Sequence, residues 1–168
     1  MRKALAVPGH PTTKATQPPP TALDDSVPVR QAKPWLAYLE GGFPRYGSAG
    51  LMYNFNPYFA LGAQAGALTG SFTINAYLGV TPRVYFNPHE LAGFAEVLTH
   101  VNFPSNPALW LTPRLGLEWR PKSPGGTTLS LAAGIPLLGD SGYQGNYGGV
   151  GFYYRPSVDV SVAIGWAF

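Results

Sequence analysis

Glu40, Arg83, Glu96, His100, Arg114, Glu118, Arg120 and Asp159 are ionisable side chains that recur in phase with one another along this chain. Residues of these types can do acid–base chemistry, activate a nucleophile or neutralise each other. For nucleophilic chemistry, His100, Glu96 and Ser105 contain the types of a base, an orienter and a nucleophile. For metal chemistry the supply is thin: His10, His89 and His100 are the three histidines and there is no cysteine. No HExxH, GxSxG, P-loop or dinucleotide fingerprint occurs, and Gly149-Val150-Gly151 is only a fragment of one. No catalytic residue, metal site or cofactor is therefore expected. The expected chemistry is mutual pairing, because enclosed charges are tolerated only when paired, and four acids stand among three arginines.

The elements that must position these groups show a period of two. From Ser157 to Phe168, Val158, Val160, Val162, Ile164, Trp166 and Phe168 share one face, while Asp159, Ser161, Ala163, Gly165 and Ala167 share the other. Segments 72–86, 108–120 and 126–137 repeat the pattern, and 35–43, 46–55, 58–68, 91–103 and 147–154 are weaker copies. Nearly all of the ionisable residues named above lie on the polar row. Facing an arginine toward lipid at the midplane would cost about 2–4 kcal/mol, so the polar row is expected to line an enclosed lumen. These rows predict an all-β, antiparallel, up-and-down transmembrane barrel whose lumen is filled by a structural charge network. Nine segments are counted, whereas single-chain bacterial barrels have even numbers. Eight strands are expected, ten next, and one long strand from Tyr147 through Pro156 ranks lower because proline removes a ladder hydrogen bond.

Composition agrees. Charged residues make up 11% of the chain, against about 25% in soluble domains, too few for an ordinary soluble surface. No apolar run is long enough to cross a bilayer as a helix. The net charge of +3 resides in residues 1–33, which include Pro18-Pro19-Pro20. This piece reads as a basic, Pro-rich, extended or disordered tail, and residues 34–168 as the barrel. Met1-Arg2-Lys3 and Ala4–Val7 begin like a secretory leader, but Pro8 and His10 interrupt the apolar part. A removed or unusual leader is expected.

Short turns are expected at Asn56-Pro57, Asn87–Glu90, Pro121–Gly126 and Arg155–Ser157, alternating with connections at 43–46, 68–71, 103–107 and 138–147. Aromatics gather at both sets of strand ends: Phe55, Phe59, Phe86, Trp119 and Tyr154 at the first, Phe43, Phe72 and Phe103 at the second. Two such belts are the expected girdles at the lipid–water interfaces.

Gly50–Leu61, Val84–Pro88, Gly116–Arg120 and Val150–Arg155 resemble the small outer-membrane β-barrel family that includes the OmpA- and OmpX-type barrels. The likeness covers roughly residues 35–168. It implies eight antiparallel strands, short periplasmic turns and longer outer loops, and no specific activity. Trp166 and the terminal Phe168 resemble the C-terminal signal read by the barrel-assembly machinery. The His100, Glu96 and Ser105 set is similar in kind to outer-membrane lipid A deacylases, but Val101, Asn102 and Phe103 follow His100 where that family has His-x-Ser-Asn.

The expected role is a bacterial outer-membrane barrel acting in structure, adhesion or partner binding, without enzymatic chemistry or nucleic acid. Its partners would be the bilayer, the assembly machinery and a periplasmic or cell-wall partner of residues 1–33. The alternatives are an accessory barrel of a larger envelope assembly contacted through the tail, a lipid-modifying enzyme or small pore, and a soluble lipocalin-like barrel. The last would hold its apolar row inside and need abundant surface lysine and glutamate.

Overall fold

The computed structural model describes residues 26–43, 45–69, 74–103, 109–123, 125–139 and 158–168. After a single helical turn, α1 (Val29–Ala32), the described elements are strands: β1 (Trp35–Phe43), β2 (Arg45–Asn54), β3 (Phe59–Thr69), β4 (Ile74–Tyr85), β5 (Leu91–Phe103), β6 (Leu109–Trp119), β7 (Thr127–Gly134), β8 (Leu138–Gly139) and β9 (Asp159–Ala167). Each strand pairs antiparallel with its chain neighbour through β6, while β9 joins β7 to β1 and closes the ring.

β7 and the two-residue β8 are parts of one strand running along β6. Proline interrupts it. Pro113 on β6 and Pro136 between β7 and β8 supply no N–H, and the register shifts from Arg114↔Gly134 to Leu111↔Leu138 across them. The Ile135 and Leu137 amides still donate to the Pro113 and Leu111 carbonyls at 3.2 and 2.9 Å, which holds the break together. The barrel is thus eight-stranded, as the even-number rule requires, and not ten-stranded. The ninth segment counted in the sequence, 147–154, and the turn expected at 155–157 lie outside the described residues. β9 begins at the end of the barrel opposite Asn56 and Asn87, since Asp159 pairs with Gly134.

The short turns owe their form to asparagine. The Asn56 side-chain oxygen accepts hydrogen bonds from the Tyr58 and Phe59 amides at 2.8 and 2.9 Å, and Asn87 does the same for His89 at 3.0 Å. An asparagine side chain that stands in for a backbone turn, followed by proline with its preset φ, reverses the chain in few residues. The third turn uses Gly125 at φ 70°. All three lie at the end where Trp35 and Phe168 exchange backbone hydrogen bonds of 3.0 and 2.9 Å. This is the turn end; the opposite end is the loop end.

Alternation fixes what faces inward. Along β9 every second residue from Asp159 to Ala167 is buried and every intervening one exposed. Inside, bulk on one strand meets glycine on the next: Tyr38 is paired with Gly50 and Gly165, Tyr77 with Gly66, Phe94 with Gly116, and Arg114 with Gly134. A Cβ added at Gly50 would strike the Tyr38 ring, and one at Gly116 would strike both the Phe94 ring and the Leu131 carbonyl. The lumen is filled by this large-against-small complementarity. Gly116→Val should therefore lower stability by about 1–3 kcal/mol through overpacking, read as a reduced urea midpoint of the refolded protein. The outward Ala133→Val should leave that midpoint within about 0.5 kcal/mol.

Candidate functional site

The lumen is the candidate site, and the ladder builds its centre. Arg83, Glu96 and Arg114 occupy directly paired positions on β4, β5 and β6. Side chains so placed on one face lie within reach of each other. Arg83 donates Nε to Glu96 Oε2 at 2.8 Å and Nη1 to Glu118 Oε2 at 2.7 Å, so it bridges two carboxylates. Its guanidinium also lies 4.0 Å from the Phe94 ring centroid. Arg114 pairs with Glu96 and donates Nη1 to Glu40 Oε1 at 2.7 Å and to Ser161 Oγ at 3.0 Å, with Asp159 Oδ1 at 3.6 Å.

Toward the turn end, Glu118 collects the most partners. Its Oε2 accepts from Arg83 and from the Tyr85 hydroxyl at 2.9 Å, and its Oε1 faces Arg120 Nη2 at 3.1 Å and Arg30 Nη2 at 3.2 Å. Glu118, Arg120 and Arg30 are all completely buried. Toward the loop end the lining turns neutral. The Tyr38 hydroxyl donates to Gln64 Oε1 at 2.8 Å, and Gln64 Nε2 donates to the Tyr77 hydroxyl at 3.4 Å. His100 lies between Tyr77 and Trp110, with ring centroids 5.0 and 6.2 Å away.

The structure thus buries all eight in-phase ionisable residues and joins seven of them in one relay of ion pairs, while His100 stacks in the aromatic layer. Ser105, the nucleophile of the trio considered above, lies outside the described residues, and Glu96 is engaged by two arginines. A void of about 10 Å³ lined by Tyr38, Arg83, Thr128 and Ala163 has room for one water molecule and no substrate. Among the described residues no three His, Asp or Glu side chains are grouped to hold a metal.

Of the expected girdle, Phe55, Phe59, Phe86 and Trp119 are exposed at the turn end, and Phe43 and Phe103 at the loop end. Phe72 and Tyr154 lie outside the described residues. Trp166 and Phe168 also point outward at the turn end. Sequence reasoning missed part of this rim: Trp35, Tyr53, Phe55 and Phe59 form a chain of ring contacts 4.7, 5.0 and 5.6 Å apart.

It also missed Arg30 and Lys33, which it placed in the tail. Residues 26–33 are folded against the barrel, with α1 seated at the turn end and Val29 and Arg30 buried. Lys33 Nζ donates to the Pro121 and Ser123 carbonyls, while Asn54 Nδ2 ties down the Pro34 carbonyl at 2.7 Å. Burial, then the neighbouring Arg120, lowers the Lys33 pKa, and Glu90 opposes them. The folded state therefore binds this proton less tightly than the unfolded chain, and stability through Lys33 rises as pH climbs toward the ordinary lysine value. One signal for Arg30 was present: four lumen acids against three arginines leave a surplus negative charge.

Comparison with family models, with characterised proteins and with solved structures finds no match for this chain. The functional reading rests on the lumen and the outer wall. Arg114→Leu removes the cation shared by Glu40, Glu96 and Asp159, and should cost about 3–5 kcal/mol, the scale for breaking a buried ion network from one side. Chemical denaturation of the refolded variant measures this as a lowered midpoint.

Proposed function

We propose that this chain is an integral barrel of the bacterial outer membrane, with a filled lumen and a role in structure, adhesion or partner binding rather than in catalysis. The observation that carries the reading is the outer wall. Leu39, Leu51, Leu61, Leu78, Leu115 and Leu131 are exposed on six different strands, and Val162 and Ile164 continue the belt on β9. Glu40, Arg83, Arg114, Glu118 and Asp159 on the same strands are buried inside. Soluble monomers rarely expose a continuous apolar patch beyond a few hundred Å², whereas a lipid-facing barrel needs this arrangement, with aromatic girdles above and below. A lipocalin-like barrel would have the reverse polarity.

In this reading the bilayer is the principal partner, and the outward Trp166 and Phe168 on the closing strand serve recognition by the assembly machinery. The ion-pair relay and the seated N-terminal segment support a structural lumen over an open pore. Binding would fall to the loops or to the tail, where a periplasmic or cell-wall partner remains part of the proposal.

The test places a charge on the belt. Leu115 is exposed near the middle of β6. Leu115→Arg should destabilise the protein refolded in lipid vesicles by about 2–4 kcal/mol. In a water-facing wall the same change would stay within about 0.5 kcal/mol. The wild type should fold in detergent or lipid and migrate heat-modifiably on gels. A monodisperse, β-rich wild type in plain buffer, with a silent Leu115→Arg, would remove the membrane reading.

A further inference from the structure

Arg30 reaches the lumen from outside the strand pattern, and the place it occupies is built from barrel residues. Its Nε and Nη2 donate to Glu118 Oε1 at 3.3 and 3.2 Å, and its Nη1 donates to the His89 carbonyl at 2.9 Å. The face of its guanidinium lies 3.9 Å from the Tyr85 ring centroid. A carboxylate at one edge, a carbonyl at another and an aromatic face below are the three things a planar, delocalised cation can use at once. An ammonium is a point charge with no face to stack and no fork to match the two oxygens.

The receiving groups are held independently of Arg30. Arg83 and the Tyr85 hydroxyl fix Glu118 Oε2, and Arg120 flanks Oε1 from the end of β6. The Arg120 amide donates to the Glu90 carbonyl at 2.8 Å, and the Asn87 side chain shapes the turn that presents the His89 carbonyl. Glu118 is completely buried, and its Oε1 is shared between Arg120 at 3.1 Å and Arg30 at 3.2 Å, so the Arg30 place presents a fixed carboxylate oxygen to a second guanidinium. Arg30 itself arrives on one helical turn, outside every strand ladder.

We infer that the turn end of the barrel contains a guanidinium-binding socket, formed by Glu118, Tyr85 and the His89 carbonyl, which the chain fills in cis with Arg30 and which accepts a monoalkylguanidinium from solution when that side chain is absent. The ligand class is the arginine head group. The inference rests on the lumen geometry alone and stands whether the outer wall faces lipid or water.

Chemical rescue tests it on the full-length chain refolded in detergent. Arg30→Ala should lower the thermal midpoint, read as loss of the folded gel band. N-methylguanidinium at millimolar concentration should restore at least half of that loss with a saturating dose response. Methylammonium at the same concentration and ionic strength should restore none, and the wild type should respond to neither. Arg30→Lys should behave like Arg30→Ala. If Arg30→Ala does not fold, the same two cations are compared by refolding yield, with rescue by N-methylguanidinium alone expected. Equal effects of the two cations, no effect of N-methylguanidinium, or a wild-type midpoint in Arg30→Lys would overturn the socket.

Discussion

A charge enclosed by a closed β-ring must find its counter-charge there, because neither the strand ladder nor the wall offers one. That requirement organises this lumen. Arg83, Glu96 and Arg114 sit on paired positions of three adjacent strands, so forming the ladder also forms the ion pairs. Glu118 extends the relay toward the turn end through Arg83. With Arg30 added, four arginines stand among four acids inside the barrel, and Lys33 is buried beside them at the turn end. The N-terminal segment is thus part of the barrel's electrostatics, although it contributes nothing to the ladder.

Charge pairing alone would not fill the space. The arginines and tyrosines are long, and Tyr38, Tyr77, Arg83 and Arg114 each have glycine or alanine opposite them on at least one flanking strand. Glycine sits opposite Tyr38, Tyr77, Phe94 and Arg114 in register, so side-chain volume is distributed unevenly between strands and evenly across the lumen. This explains Gly50, Gly66, Gly116, Gly134 and Gly165 better than turns do. Among the described residues only Gly125 has a positive φ, so most of the described glycines serve space and not backbone freedom.

Much of this was legible in the sequence because period two assigns every residue of a strand to a side once a few are fixed. The parity of Leu115, Leu117 and Trp119 places Arg114 and Glu118 inside with no further information. The asparagine turns were legible for a similar local reason. What escaped was non-periodic. Arg30 stands in a Pro-rich stretch with no alternation to assign it a side, and only the charge surplus inside the barrel asks for it. The strand count was ambiguous because alternation continues into 147–154, and alternation alone does not say which segments pair. The break between β7 and β8 needed two prolines on neighbouring strands to be seen together, which only the register reveals.

The backbone pair between Trp35 and Phe168 joins the first strand residue of the barrel to the final residue of the chain. Nearly the whole domain separates the two in sequence, so the seam between β1 and β9 has the largest loop-closure cost of any pairing in the fold. The other described strand pairings up to β6 are local hairpins that can zip in sequence order. A chain arranged in this way has no complete ring until β9 has been synthesised. Until then it carries two unsatisfied strand edges, at β1 and at whichever strand was made last. Such a half-built sheet is adhesive by its nature, and the pairing of β9 with β1 is the latch that removes the hazard.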